Sequence, residues 1–291
     1  MCVHANGFQG RNHPMIITAI CLLLGLGATL ANYFLTSWSS LPWPYAFLMI
    51  PTWLGYYLAA FAVFVLSFFL YCMMFPLTRD IQKPRKGAYW CICQIIHWLF
   101  GFLWIKTHIT GAEKLPKGQR FLMVSNHLSM FDFLVVLAHL GQYGIIPIFK
   151  KEAESIPIVG KVAHYTGFIP IDRENPVKGL RAILKGIKFI KEGTGSVYIA
   201  PEGTRNKDGK MSPFHAGSFK IAEKTKCPVI VCAVAGTNDI HKNYFRRVSH
   251  VSFDVLEVIS SEEVAALSTV ELAEKAQGLI QARLDEIEHK E

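Results

Sequence analysis

Between Asn12 and Thr78 the chain carries no Lys, Arg, Asp or Glu, and Arg11 is the only such residue before Arg79. A soluble domain does not run so far without a charge, because one face of its helices and strands must meet water. The stretch holds two apolar runs, Pro14 to Trp38 and Tyr45 to Met74, each long enough to cross a hydrocarbon core that takes about 20 apolar residues as a helix. The sequence thus predicts two transmembrane helices, at 14–38 and 45–74. Ser39-Ser40-Leu41-Pro42-Trp43-Pro44 separates them with turn formers and an interfacial Trp, and Pro51 either kinks the second helix or sets its start. A signal peptide is the competing reading of the first run. The weak basic region before it, its length and the lack of a clear Ala-x-Ala site speak against that reading. Beyond the second run, Arg79-Asp80-Ile81-Gln82-Lys83-Pro84-Arg85-Lys86 sets four basic residues against one acidic. The positive-inside rule then puts both termini and everything after Thr78 on the cytoplasmic side. A bacterial inner membrane is the expected setting, ahead of endoplasmic reticulum.

The rest of the 291-residue chain holds all 22 acidic and all but one of the 30 basic residues, and belongs in water. Seven scattered cysteines make neither a zinc spacing nor a disulfide framework, so reduced thiols are expected. Ala88 to Lys106 is rich in Trp and Phe and borderline in length for a span, which fits a helix lying in the interface, or else a core helix. From Thr107 onward short apolar runs alternate with amphipathic stretches. Strands are predicted at Phe121 to Ser125, Ile145 to Phe149, Phe168 to Ile171, Ser196 to Ala200, Val229 to Ala235 and Val251 to Val258. The clearest helix has Asn175 as cap, Pro176 at its first position and Gly193 as its end. Leu180, Ile183, Leu184, Ile187 and Ile190 form its expected buried stripe. Lys178, Arg181, Lys185, Lys188 and Lys191 populate the other side, either solvated or resting on anionic lipid or an acyl carrier. Cap signatures at Ser260 to Glu263 and Ser268 to Glu271 predict a helical tail. The expected organisation is a membrane region over 1–78, a basic juxtamembrane segment with an aromatic interfacial helix over 79–106, and an α/β domain over 107–291. Alternating strands and helices argue a largely parallel sheet flanked by helices.

One stretch concentrates chemistry. In Val124-Ser125-Asn126-His127-Leu128-Ser129-Met130-Phe131-Asp132 an imidazole and a carboxylate lie five positions apart behind a strand-like run. Five residues on a helix leave two side chains about 140° apart, so His127 must precede the helix. Ser129 suits an N-cap, and Asp132 three residues on can fold back over the first turn toward His127. An Asp accepting from one ring nitrogen leaves the other basic, as a general base requires. The alternative is that Asp132 only caps a helix. Arg173 and Arg205 each follow a predicted strand, where ligands of open α/β sheets collect, and two Arg residues there can grip a phosphate with help from Thr204 and Gly203.

Asn126-His127-Leu128-Ser129-Met130-Phe131-Asp132 resembles the NHxSxxD block of the glycerolipid acyltransferases of the lysophosphatidate acyltransferase (PlsC-type) family. Glu202-Gly203-Thr204-Arg205 resembles that family's EGTR block, followed by Pro213-Phe214 and Gly217. Lys150-Lys151-Glu152 with Ile156-Pro157 and Gly160, Gly167 to Arg173, and Cys227 to Gly236 are similar to its remaining segments, in the family's order. The resemblance covers Lys106 to Val258. It implies acyl transfer from acyl-CoA or acyl carrier protein to the hydroxyl of a membrane lysophospholipid, typically 1-acylglycerol 3-phosphate. It implies His127 and Asp132 as catalytic residues, Arg173 and Arg205 as phosphate ligands, Glu202, Gly203 and Thr204 as shapers of the acceptor pocket, and Lys151 as a further anion contact. The acceptor hydroxyl is itself the nucleophile, so no cofactor, metal or nucleophile elbow is needed, and no nucleic acid is expected as partner. Pro170, Val231 and His215-Ala216 depart from the family's pattern at positions bearing on headgroup and acyl-chain preference. Glycerol 3-phosphate or a lyso-aminolipid as acceptor, and a non-catalytic lipid-binding protein, are the alternatives.

Overall fold

The computed structural model describes residues 16–36, 40, 43–74, 84–204 and 211–289. The chain divides into two compact units, one within His13–Thr78 and the other from Arg79 onward. In the first, α1 (Ile16–Leu35) and α2 (Met49–Met73) pack against each other. Gly25 permits the approach, since a Cβ there would stand 3.0 Å from the Tyr57 amide nitrogen. The Trp53 indole donates to the Leu22 carbonyl at 3.1 Å. Both helices are long and apolar enough to be candidate membrane spans. Pro51 falls in the first turn of α2, where its missing N–H is not needed, so it sets a start and not a kink. Most of the basic segment from Arg79, and residues 39, 41 and 42 of the connection between the two helices, lie outside the described residues.

The second unit opens with α3 (Lys86–Phe102) and β1 (Ile105–Thr110). The stretch expected as one interfacial helix from Ala88 to Lys106 is therefore split, and the inward side of α3 is core. Tyr89, Ile96 and Phe100 are buried, and the Tyr89 hydroxyl donates to the Ile145 carbonyl at 2.7 Å. There follow β2 (Leu122–Ser125), α4 (Phe131–Leu140), β3 (Ile145–Lys150), α5 (Pro157–Thr166), β4 (Ile169–Ile171), α6 (Pro176–Lys191) and β5 (Ser196–Ile199). The chain closes with α7 (Lys220–Thr225), β6 (Val229–Ala235), α8 (Ile240–Asn243), β7 (Ser249–Ile259), α9 (Ser261–Ala266) and α10 (Thr269–Glu288). The seven-stranded sheet runs β1-β7-β6-β2-β5-β3-β4. Every neighbouring pair is parallel except β6 with β7.

Side-chain alternation divides the core between the two faces of the sheet. Leu122, Val124, Val197, Ile199, Val229 and Val231 pack toward α6, α7 and α10. Met123, Tyr198, Ile230 and Cys232 pack toward α3 and α4. Strands covered on both faces read as continuous apolar runs, which is why β2, β3, β5 and β6 stood out in the sequence. The seventh, β1, lies at an edge and buries only its first residue deeply, so it was not predicted as a strand, and its first two residues, Ile105 and Lys106, were assigned to the preceding helix.

The expected stripe of α6 needs correction. Ile183 and Ile190 are buried, but Leu180 and Leu184 are exposed, and Ala182, Gly186 and Phe189 take their place inside. Gly186 is the reason: a Cβ there would lie 3.0 Å from Ile221 Cδ1, so the glycine lets α7 close on this side and fixes which side faces the sheet. The Asn175 cap is as expected, its side chain accepting from the Val177 and Lys178 amides at 3.1 Å. Ser268 forms a capping box with Glu271.

Candidate active site

β6, β2, β5, β3 and β4 are mutually parallel neighbours, so their carboxyl ends share one edge of the sheet. Thr237, His127, Glu202, Lys151 and Arg173 follow those ends in that spatial order. Ligands of open α/β sheets collect at such an edge.

The centre is the turn between β2 and α4. His127 Nδ1 lies 2.8 Å from Asp132 Oδ2, and the same oxygen accepts from the Leu128 amide at 2.8 Å and the Ser129 amide at 3.0 Å. Asp132 thus folds back over the turn as the sequence suggested. The helix itself opens at Phe131 with Met130, not Ser129, at its N-cap; Ser129 stands one residue earlier, its hydroxyl accepting from the Phe131 amide at 3.0 Å. Asp132 is buried, whereas the His127 side chain keeps 15% exposure, enough for one ring edge to meet solvent or substrate. A carboxylate on Nδ1 makes that nitrogen the donor and leaves Nε2 as the basic site.

Three further contacts hold this turn, and none was visible in the sequence. The Thr237 hydroxyl, just past β6, donates to Asp132 Oδ1 at 2.5 Å. Asn126 staples the end of β2 to β6, its side chain donating to the Val234 carbonyl and accepting from the Val234 amide at 2.8 Å each. Beneath them the Tyr198 and Ser125 hydroxyls meet at 2.6 Å. Burial, then the nearby Asp132 carboxylate, push the Tyr198 phenol well above its ordinary range. It therefore stays neutral as a structural hydroxyl.

Glu202 is buried, and both its oxygens serve backbone amides. Oε1 accepts from His127 at 2.6 Å and Oε2 from Ser212 at 2.7 Å. It ties the loop after β5 to the histidine turn, a structural part the sequence did not assign to it. Gly203 has φ of +73°, and a Cβ there would stand 3.1 Å from the His215 ring. Glycine meets both demands. Thr204 is exposed beside it, and Arg205 lies outside the described residues.

Lys151 and Arg173 stand further along the edge. Lys151 Nζ is 3.5 Å from Asp172 Oδ2, which brings it to the turn carrying the exposed Arg173. Desolvation raises the Asp172 carboxyl, but the Asn175 amide, the Lys151 ammonium and the Glu174 amide together outweigh it and hold the group below its ordinary range. With strands about 4.8 Å apart, the β5 loop lies one spacing from His127, Lys151 two, and Arg173 three, roughly 14 Å along the backbone. The long Lys and Arg side chains must span that remainder.

The structure thus sets a His-Asp pair at the carboxyl end of an inner strand of a mostly parallel α/β sheet, backed by a Glu-Gly-Thr loop. Residues 106–235 match the Acyltransferase family model. The chain is 38% identical over 167 residues to the chloroplastic 1-acyl-sn-glycerol-3-phosphate acyltransferase BAT2 of Brassica napus, covering 57% of this chain and 47% of that protein. It is 34% identical over 149 residues to a 1-acyl-sn-glycerol-3-phosphate acyltransferase of Borreliella burgdorferi, covering 51% of this chain and 57% of that one. The matched part spans about half the length of these curated relatives. Across 94% of this chain and 98% of the other, the fold is that of the crystal structure titled 1-acyl-sn-glycerophosphate (LPA) acyltransferase, PlsC, from Thermotoga maritima, with TM-score 0.58 and 22% identity.

Proposed function

We propose that this protein transfers a fatty acyl group from an acyl thioester, acyl-CoA or acyl carrier protein, to the sn-2 hydroxyl of membrane-borne 1-acylglycerol 3-phosphate, giving phosphatidate for phospholipid biosynthesis. The observation that carries the reading is the His127-Asp132 pair: Nδ1 is committed to a buried carboxylate at 2.8 Å, and the ring is still reachable at the strand edge. The relatives named above, all called acylglycerol-phosphate acyltransferases, supply the substrate class.

In this mechanism His127 Nε2 takes the acceptor hydroxyl proton as the oxygen attacks the thioester carbonyl. The new C–O bond forms, the C–S bond breaks, and the imidazolium returns the proton to the leaving thiolate. Asp132 steadies the imidazolium. Thr237 and Glu202 are positioning residues, since each acts through the turn that holds the ring. Arg205, Arg173 and Lys151 are the cations proposed to hold the acceptor phosphate, with Gly203 and Thr204 lining the same loop. Holding the acceptor there converts a bimolecular attack into a local one, a larger contribution than the roughly 10²- to 10⁴-fold of general base catalysis.

The test uses full-length protein purified in detergent with lysophosphatidate and a long-chain acyl thioester. Wild type should form phosphatidate and His127→Ala should not. Turnover by the variant within tenfold of wild type would end the reading.

A further inference from the structure

The loop between β6 and β7 presents a tip that the acyl-transfer chemistry does not use. Phe245 is 57% exposed, Trp104, just before β1, is 51% exposed, and Phe102 is 48% exposed. The Phe102 and Phe245 rings meet edge to face at 5.2 Å, so these aromatics form one patch. Trp104 and Phe245 both have φ of +56°. Bulky residues avoid that left-handed region, and strain of this kind persists where the surroundings impose it. Arg246 and Arg247 follow directly and are exposed. Their amides bond to the Asn243 carbonyl at 2.9 and 3.1 Å, and the Trp104 carbonyl accepts from Ser249 at 3.1 Å. The aromatic groups are thus held outward by a hydrogen-bonded turn.

The register gives the tip's height. Cys232 of β6 is level with Ser125 of β2, Ala235 with Ser252 of β7, and Ser249 with Ile105 of β1. From the end of β2 to the start of β1 and β7 is therefore six residue positions, roughly 20 Å at about 3.3 Å each. The tip stands beyond the histidine on the same edge. Met130, Ile156 and Val177, at the entrances of α4, α5 and α6, are exposed on that edge as well.

We infer that this tip, Phe102, Trp104 and Phe245 with Arg246 and Arg247, is a docking surface for an anionic lipid bilayer that seats the active-site edge on the membrane. Aromatic rings prefer the water–lipid boundary, and basic residues beside them complement anionic headgroups. Immersed about 5–10 Å, as interfacial elements are, the tip would bring the His127 turn to the outer headgroup layer. The inference rests on the acyl-transfer reading only in giving the membrane contact a purpose. The same loop carries Thr237 at its start, so the docked tip and the histidine centre share one segment.

The test compares full-length wild type with Phe245→Ser and with Arg246→Gln/Arg247→Gln, reconstituted in vesicles of phosphatidylcholine with phosphatidylglycerol, with acyl-CoA and, in a parallel arm, acyl carrier protein as donor. Each neutralised Arg near an anionic surface should weaken docking about 5-fold, and both together about 30-fold. Turnover of vesicle-borne lysophosphatidate should fall accordingly, while turnover of a short-chain monomeric acceptor in detergent-free buffer stays unchanged. Equal losses on both acceptors would mean that the loop merely supports the site, and unchanged vesicle turnover would remove the surface; either overturns the inference. A loss seen only with acyl carrier protein as donor would also overturn it, in favour of a protein partner. A second readout is independent of catalysis. Brominated lipids should quench wild-type fluorescence more than that of Trp104→Phe, and equal quenching would refute docking even in an active enzyme. If instead wild type shows no acyl transfer but Trp104 is quenched, the docking inference stands and the function reading fails.

Discussion

Asp132→Asn is the substitution whose consequence the geometry fixes most tightly. Oδ2 of Asp132 accepts from three donors, the His127 ring and the Leu128 and Ser129 amides, and Oδ1 accepts from Thr237. An Asn side chain has one orientation that survives this set. Its carbonyl must take the Oδ2 position, because an NH2 there would face three donors, and its NH2 then meets the Thr237 hydroxyl, which can rotate to accept. The turn, the ring orientation and the tautomer are therefore retained, and only the negative charge is lost. Imidazolium and carboxylate centres about 4 Å apart attract by about 4 kcal/mol at an effective dielectric of 20. At about 1.4 kcal/mol per decade the variant should lose roughly 10³-fold in kcat. Acceptor KM should stay near wild type, since the ground state carries no imidazolium. The assay is initial-rate phosphatidate formation in detergent, run beside a thermal melt to confirm folding. A folded variant within tenfold of wild-type kcat would refute the claim that Asp132 works through its charge.

Thr237→Val keeps the shape but removes a hydrogen bond to a carboxylate, worth about 1.5–3 kcal/mol. A kcat loss of roughly 10- to 100-fold is expected, Thr237→Ser should recover most of it, and failure of that rescue would assign Thr237 to packing instead. Glu202→Gln sets an NH2 against the His127 or Ser212 amide and leaves a buried donor unmatched, a cost of about 1–3 kcal/mol. The melting temperature of the α/β unit should drop by roughly 2–12 °C, and an unchanged melt would show the two amides to be satisfied otherwise. His97 and His139 face each other where α3 meets α4, with ring centroids 5.5 Å apart. Desolvation lowers His97, and desolvation followed by the His97 charge pushes His139 down to about 4. Because the unfolded chain binds these protons more readily, stability should be full above about pH 6.5 and fall as pH drops toward 4, by at most about 3 kcal/mol for His139. Melts between pH 7 and 4 should show that slope, His139→Gln should flatten it, and an identical slope in the variant would refute the assignment.

Much of the fold was legible because its signals are local. Five of the six predicted strands lie inside the sheet and announced themselves as apolar runs, and the Asn175 and Ser268 caps did so through side chains that reach only two or three residues. The face of α6 was misread because two overlapping apolar stripes fit the same helix. The choice between them was made by the approach of Ile221 at Gly186, from another part of the chain.

By itself the sequence determined where charge is excluded, and so which segments can enter a bilayer. It also determined that an imidazole must precede a helix whose first turn carries a carboxylate. Both follow from chain connectivity and the period of a helix. Only the tertiary structure decided that Thr237, more than a hundred positions away, completes the Asp132 hydrogen bonds, that Glu202 spends both oxygens on backbone amides, and that an exposed aromatic tip stands over the same edge. Those arrangements depend on which strands become neighbours, and neighbours distant in sequence leave no periodic mark on the chain.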